Sequence, residues 1–562
     1  MRRVWMILVA VALAGCAPAQ TAAPTPNPTA LPAEPTANIP AATPAPAAQT
    51  ATAPTAEATT EATVAPTTQA AAPASGPTAE ATVAPLAKEA FAAPEALLEQ
   101  PFDLAAQASA LLPEAQSDLD RAGEWNRYTI VATLDAQART LSGRQRVEYT
   151  NRDSVALADL YFRLYPNLRD FGGRLTVSGV TVDGKTARIS NPRADLLRVR
   201  LPTALEPGAS ATLLLNFNTR APANASRTNY GAFNKENGMF GLASAYPLLA
   251  VVRGGRWDIA PLDGKGDFVN AETALYDVTL TGPSDWKLVT TGVAIDYQAQ
   301  GASQRARFVS GPQREFTITA LQLEQASAEV EGTRINSFFR SGSAAGGQGA
   351  LQAASNSLRA FNKRYGRYPL AELDVIEMDA RSFLGVEYPG LIMIEHALYS
   401  QPGILEITVA HEVGHQWWYS IVGNDVQRAS WLDEALASYS QIIYQEEVYG
   451  PEAAERELDG FRARYTQNRQ AGRDAPVEQP NANFRGNYVA LVYGKSVLFF
   501  QALRVQLGEP GFDRFLHEYY ARHRYGYVSG ADVVATANDV CGCDVGPLYA
   551  DWITRTVPLE VP

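Results

Sequence analysis

From residue 128 onward, hydrophobic and polar positions alternate in short runs separated by turn-forming residues. The runs occupy residues 128–134, 145–150, 160–164, 211–217, 276–280 and 287–292. A period of two puts every second side chain on one face, so each run predicts a half-buried strand. Their close spacing predicts an antiparallel β domain over residues 123–329. Beyond it the apolar period lengthens. Residues 348–365, 404–415 and 432–449 read as helices, whereas 373–377 and 391–394 are short apolar runs that read as strands. The expected fold class is multidomain α+β, a β-rich unit followed by a unit of small sheet and helices over residues 330–562.

The first 122 residues lack this patterning. Residues 17–86 are Ala/Pro/Thr low complexity without an aromatic, and Pro54-Thr55-Ala56-Glu57-Ala58-Thr59 recurs as Pro77-Thr78-Ala79-Glu80-Ala81-Thr82. Such a segment buries too little apolar surface to offset its ordering entropy, so residues 16–122 are expected to form a disordered stalk. Extended at about 3 Å per residue, the stalk would reach roughly 200 Å. Its end, residues 87–122, has helix-like patches broken by Pro94, Pro101 and Pro113. Ahead of it, Arg2 and Arg3 precede an apolar run from Val4 to Ala14 that is too short to span a bilayer. Leu13-Ala14-Gly15-Cys16 then reads as a bacterial lipobox, which makes residues 1–15 a signal peptide and Cys16 the lipid-bearing residue. No other segment reads as a membrane span. The expectation is an exported protein tethered to a bacterial membrane.

Charge changes the picture only by exclusion. The net charge is -12, and no basic run is interleaved with aromatics, which argues against a nucleic-acid partner. Part of the acidity (Glu34, Glu57, Glu61, Glu80) belongs to the stalk. The pattern leaves the oligomeric state open.

The chemistry is concentrated in His411-Glu412-Val413-Gly414-His415, in a chain with five histidines. Histidines four apart on a helix share a face, within reach of one metal ion. Glu412 is turned partly off that face, toward a metal-bound water. A catalytic zinc takes three protein ligands and keeps one position open, and Glu434 on the following helix is placed to be the third. Zinc held this way lowers the pKa of bound water from about 15.7 to about 7, and Glu412 would accept the proton and pass it to a departing amine.

HEVGHQWW followed by WLDEALASY resembles the membrane alanyl aminopeptidase family of gluzincins, in which eighteen residues separate the second histidine from the glutamate, as residues 416–433 do here. Leu384-Gly385-Val386-Glu387-Tyr388-Pro389 is similar to the family's GxMEN element, and Val492-Tyr493-Gly494-Lys495-Ser496-Val497-Leu498 to its YxKG element. Ala245-Tyr246-Pro247-Leu248-Leu249-Ala250 and Tyr276-Asp277-Val278-Thr279-Leu280 resemble the end of its β domain. The resemblance covers about residues 125–555. It implies a thermolysin-like zinc metallopeptidase domain, one zinc per chain, and release of amino-terminal residues from peptides at the cell surface. Tyr493 would stabilise the oxyanion, Glu387 would bind the substrate α-ammonium, and Gly385 would belong to the substrate bed. Endopeptidase or epoxide-hydrolase-like action on the same site, or a non-catalytic binding protein, are the competing readings.

Departures from the family restrict what is inherited. Leu384, Val386 and Tyr388 replace the glycine, methionine and asparagine of GxMEN. No Gln-x-Glu element precedes Tyr246, and Glu236 is poorly aligned, so amine recognition is expected to rest on Glu387 alone. The large helical domain that follows in many relatives is expected to be missing or supplied by another chain. Trp417 and Trp418 are read as core, and His396, His517 and His523 lack ligand spacing. Cys541-Gly542-Cys543 could close a tight disulfide.

Overall fold

The computed structural model describes residues 94–562, apart from 225–229 and 263. The signal peptide, Cys16 and the low-complexity stretch lie outside the described residues.

The alternating runs become strands. Asn126–Asp135 and Thr140–Thr150 form a hairpin in an eight-stranded sheet with Ser210–Arg220, Arg174–Val182, Lys185–Thr186, Ala274–Pro283, Ser303–Gln313 and Val293–Gln300. One pair departs from the antiparallel expectation: Asn126–Asp135 runs parallel to Ala274–Pro283, with Tyr128 opposite Tyr276. The two rings stack at 4.9 Å. Alternation reports which face is buried and carries no strand direction, so only the structure could reveal this pair. Two four-stranded sheets and the two-stranded pair Val252–Arg253 and Arg256–Trp257 complete the β region, around a core that includes Ile130, Phe162, Leu215, Tyr246 and Val278.

Residues 94–124, at the end of the expected stalk, form short helical turns that dock. Leu98, Leu111, Leu112 and Ala115 are buried. Leu112 N donates to the Pro369 carbonyl at 2.8 Å. The fully buried Gln107 donates to the Tyr276 carbonyl and accepts from Gly311 N, both at 3.0 Å. These bonds satisfy an amide that would otherwise be costly to bury.

A five-stranded sheet follows in the order Glu324–Val330, Thr333–Phe339, Glu372–Met378, Leu391–Glu395, Gly385–Tyr388. Glu329 therefore lies inside its first strand. The three central strands are parallel and Gly385–Tyr388 is an antiparallel edge. Helices Ala344–Tyr365 and Pro402–Gly414 pack on this sheet and Trp431–Tyr449 packs on those two helices, forming a second core around Trp417, Trp431 and Phe500. Their bounds fall close to those expected, because Pro402 occupies a first-turn position and Gly450 a C-cap with φ of 88°. One stretch corrects the membrane reading. Tyr488–Leu507 is long and apolar enough to cross a bilayer by composition, at mean hydropathy 1.2, yet more than half of its most apolar stretch is buried inside the fold. It is built as a core helix.

Candidate metal centre

His411 lies in the last turn of Pro402–Gly414, and His415 is the helix's C-cap residue. Their Nε2 atoms approach to 3.1 Å. Glu434, in the first turn of Trp431–Tyr449, places Oε2 at 3.3 Å from His411 Nε2 and 3.4 Å from His415 Nε2. That oxygen is buried without a hydrogen-bond partner. An orphaned carboxylate oxygen facing two imidazole nitrogens is costly unless a cation sits among them, and two imidazoles with one carboxylate are a zinc donor set.

The opposite edges of the rings are held. The chain turns sharply after His415, bringing the Trp418 carbonyl to 3.0 Å from His415 Nδ1. Buried Trp417 and Trp418 anchor this turn, the core role expected of them. Gln441, about two turns beyond Glu434, meets His411 Nδ1 at 3.0 Å. The Trp418 carbonyl accepts the His415 Nδ1 proton, which leaves that ring's Nε2 lone pair for the metal, while the Gln441 amide nitrogen fixes the His411 ring by donating to its Nδ1. Gln441 could have been found from the sequence only by assuming a second layer of contacts around the ligands.

Glu412 is buried, and burial pushes its carboxyl up to about 8, with Glu434 and Asp267 adding repulsion and His415 opposing it. A dication at the three donors lowers it again. Glu434 is held down at about 2: burial works against ionisation, but both histidines outweigh it. The Gly385–Tyr388 strand runs directly over this acid. A Cβ at Gly385 would fall 2.3 Å from Glu412 Oε1, so the backbone approach requires glycine. Gln416 fastens the strand to the metal-binding helix, accepting from Gly390 N at 2.8 Å and donating to the Tyr388 carbonyl at 3.1 Å. Carboxylate oxygens of Glu387 and Glu412 and a ring nitrogen of His415 all lie within 4.8 Å of one another. Glu387 thus stands beside the donor set, its carboxyl raised well above the usual range by burial and then by Asp267. Sequence reading did not single out Asp267. Its only local signal is an acid after Gly264-Lys265-Gly266.

Tyr493 sits in a π-turn, Leu491–Lys495, with φ of -104° and ψ of 16°. Its hydroxyl donates to Glu434 Oε1, and Arg464 Nη1 holds its carbonyl at 2.8 Å. Lys495 is fully buried below, donating to Asp474 Oδ1 at 3.0 Å and to the Ala475 and Arg555 carbonyls at 3.2 Å. The remaining candidates are engaged elsewhere. His396 bonds Glu377, and His523 lies 3.3 Å from the Thr536 hydroxyl. Glu236 pairs with Arg381 at 2.6 Å. Cys541 and Cys543 form a disulfide.

Behind the site, Glu315 accepts from the Tyr419 hydroxyl at 2.6 Å and the Ser244 hydroxyl at 3.1 Å. Burial raises it up to about 7. The unfolded carboxyl ionises in the ordinary range, so between that range and about 7 the folded chain binds more protons and stability falls as pH rises. Denaturant unfolding of Glu315→Gln at about pH 5 and about pH 8 should therefore show a smaller pH-dependent loss than the parent, by on the order of 2 kcal/mol. Equal losses would place the proton elsewhere.

Fold and donor set outline a candidate metal centre: two histidines and a glutamate on successive helices, a donor set that suits zinc. Residues 349–552 match the family model described as the Peptidase family M1 domain. The chain is 27% identical over 224 residues to Aminopeptidase RNPEPL1 of Homo sapiens, covering 37% of this chain and 31% of that protein. It is 24% identical over 230 residues to Leucyl aminopeptidase of Saccharolobus solfataricus, covering 37% and 28%. With Puromycin-sensitive aminopeptidase of Caenorhabditis elegans the identity is 24% over 311 residues, covering 50% and 32%. The match thus spans about a third of the length of these relatives. Among solved structures, an M1 zinc metallopeptidase from Deinococcus radiodurans superposes with a TM-score of 0.59 at 18% identity, over 78% of this chain and 95% of that one. A mutant of such an enzyme from the same organism, bound to a Tyr-Ser-Ala substrate, gives 0.59 at 19% over the same shares. The fold is that of M1 metallopeptidases, a β-rich region followed by a helical domain.

Proposed function

We propose that the chain is a zinc-dependent aminopeptidase, with a thermolysin-like catalytic domain, that releases amino-terminal residues from peptides at a bacterial cell surface. The observation that carries this reading is the partnerless Glu434 Oε2 facing His411 and His415 Nε2, beside Glu412 and the glycine-floored strand. His411, His415 and Glu434 would hold the zinc. When bound, zinc activates water near neutral pH and polarises the scissile carbonyl. Glu412 takes the proton of the attacking water and delivers it to the leaving amine. Tyr493, swung from Glu434 to the substrate, donates its hydroxyl proton in a hydrogen bond to the developing oxyanion. The Gly385–Tyr388 strand ends its sheet, so its outer edge can pair with an extended peptide. Glu387, on that strand, binds the peptide's α-ammonium.

A panel of aminoacyl-coumarin amides beside amino-terminally acetylated peptides tests the reading. Free-amine substrates should be cleaved and blocked ones spared. Glu387→Ala should cost at least about tenfold in kcat/KM on the former, the worth of a charge-assisted hydrogen bond. Cleavage of acetylated peptides inside the chain, as fast as free ones, would make the protein an endopeptidase. For the lipid on Cys16, Cys16→Ser should move the exported protein from the membrane to the soluble fraction of expressing cells; retention on the membrane would exclude that anchor.

A further inference from the structure

The Cys541–Cys543 disulfide does little for the fold that holds it. It closes a loop over one intervening residue, and the stability gained from a crosslink grows with the length of the loop it closes. The turn it spans is already fastened by hydrogen bonds. Gly542, the left-handed cap of helix Gly530–Cys541 with φ of 62°, donates its N–H to the Asn538 carbonyl at 2.8 Å. Val545 N donates to Asn538 Oδ1, and Gly546 N to Asp544 Oδ1, both at 2.8 Å. A bridge that adds so little to a tied turn is better explained by its chemistry.

The two sulfurs are not equivalent. Cys541 is partly buried and packs against the helical core, whereas Gly542, Cys543 and Asp544 are exposed. A thiolate arriving from solvent therefore meets Cys543, and Cys541 is the leaving group. Its departure is prepared. Cys543 N donates to Cys541 Sγ at 3.1 Å, and the Asn538 carbonyl lies 3.8 Å from the same sulfur, where a freed thiol can donate. The Gln506 side-chain amide donates to Cys543 Sγ at 3.8 Å. Donors aimed at both sulfurs stabilise the thiolates that exchange produces, and they oppose the negative helix end, which disfavours charge on Cys541. Exposed bridges belong to the labile class of disulfide, and a stabilised thiolate leaves faster.

We propose that Cys541-Gly542-Cys543 is a thiol–disulfide exchange site that takes electrons from thiols, with Cys543 the sulfur attacked and Cys541 the sulfur released. A first thiolate bonds to Cys543 Sγ as the S–S bond breaks, and Cys541 leaves with the electron pair and takes up a proton. A second thiolate attacks the substrate sulfur of this mixed disulfide and releases Cys543, which is protonated in turn. Two thiols become one disulfide, and the protein's bridge becomes a dithiol. The reaction uses none of the residues of the metal centre.

The test equilibrates the full chain with millimolar glutathione buffers of graded redox ratio, then alkylates it and weighs the peptide carrying both cysteines. Reduced and oxidised forms should coexist across the series. A reduced two-cysteine peptide should likewise be oxidised at the expense of this bridge. Given oxidised glutathione, Cys541→Ser should hold glutathione on Cys543 as a stable mixed disulfide, formed at least about tenfold faster than on Cys541 in Cys543→Ser. The double serine variant should lose exchange with both reductants while keeping the parent's unfolding midpoint and zinc content. A bridge that stays oxidised throughout, or a double variant with a clearly lower midpoint, would overturn the proposal and make the bridge a structural staple. Equal capture by the two single variants would overturn the roles given to the two sulfurs. Exchange with glutathione alone would support the site with small thiols as its reductant; exchange with the peptide alone would support it with protein cysteines.

Discussion

Glu412→Gln is expected to keep one zinc per chain and lose at least about a hundredfold in kcat, the scale of general-base catalysis. The argument is local. The amide preserves shape beneath Gly385, where a Cβ would already sit 2.3 Å from the carboxyl oxygen, so the strand above is undisturbed. None of the three donors is altered, and the Nδ1 contacts to Trp418 and Gln441 remain. What disappears is the group that accepts a proton. His415→Ala is the counterpart: it removes a donor and should empty the site, which metal analysis of the purified protein would read directly. Near-full activity in the glutamine variant would reject Glu412 as base.

Tyr493→Phe is expected to raise the barrier by about 3 to 4 kcal/mol, seen in kcat with KM nearly unchanged. The ring remains packed near Tyr488 and His411, at centroid distances of 6.0 and 6.1 Å, so the pocket keeps its form. Only the hydroxyl is lost, and in the structure it donates to Glu434 Oε1. Its partner is an oxygen of the metal-binding carboxylate, so zinc content has to be measured beside the kinetics. A changed KM at constant kcat would move Tyr493 from transition-state stabilisation to substrate binding.

The donor set was legible in the sequence because its spacing is local. Two histidines four apart on a helix must share a face, and Glu434 needs only the next helix to return alongside. Tyr493 and Glu387 were reachable through short motifs. Asp267 was not, since it meets Glu387 by long-range packing and nothing in periodicity records which loop ends where. The same limit hid the parallel pairing of Asn126–Asp135 with Ala274–Pro283. It also hid the strand Thr333–Phe339, which the patterning did not suggest.

The π-turn under Tyr493 ties activity to helix register. A regular helix advances about 100° per residue, and the kink at Tyr493 (φ -104°, ψ 16°) breaks that progression between the residues before it and Ser496–Leu507. At the kink the chain presents Tyr493 to the zinc ligands; downstream it buries Val497, Leu498, Phe499 and Phe500. Removing one residue from the turn would change the register between the phenol and the buried face that follows it. The helix's least regular stretch is thus where folding and catalysis are reconciled.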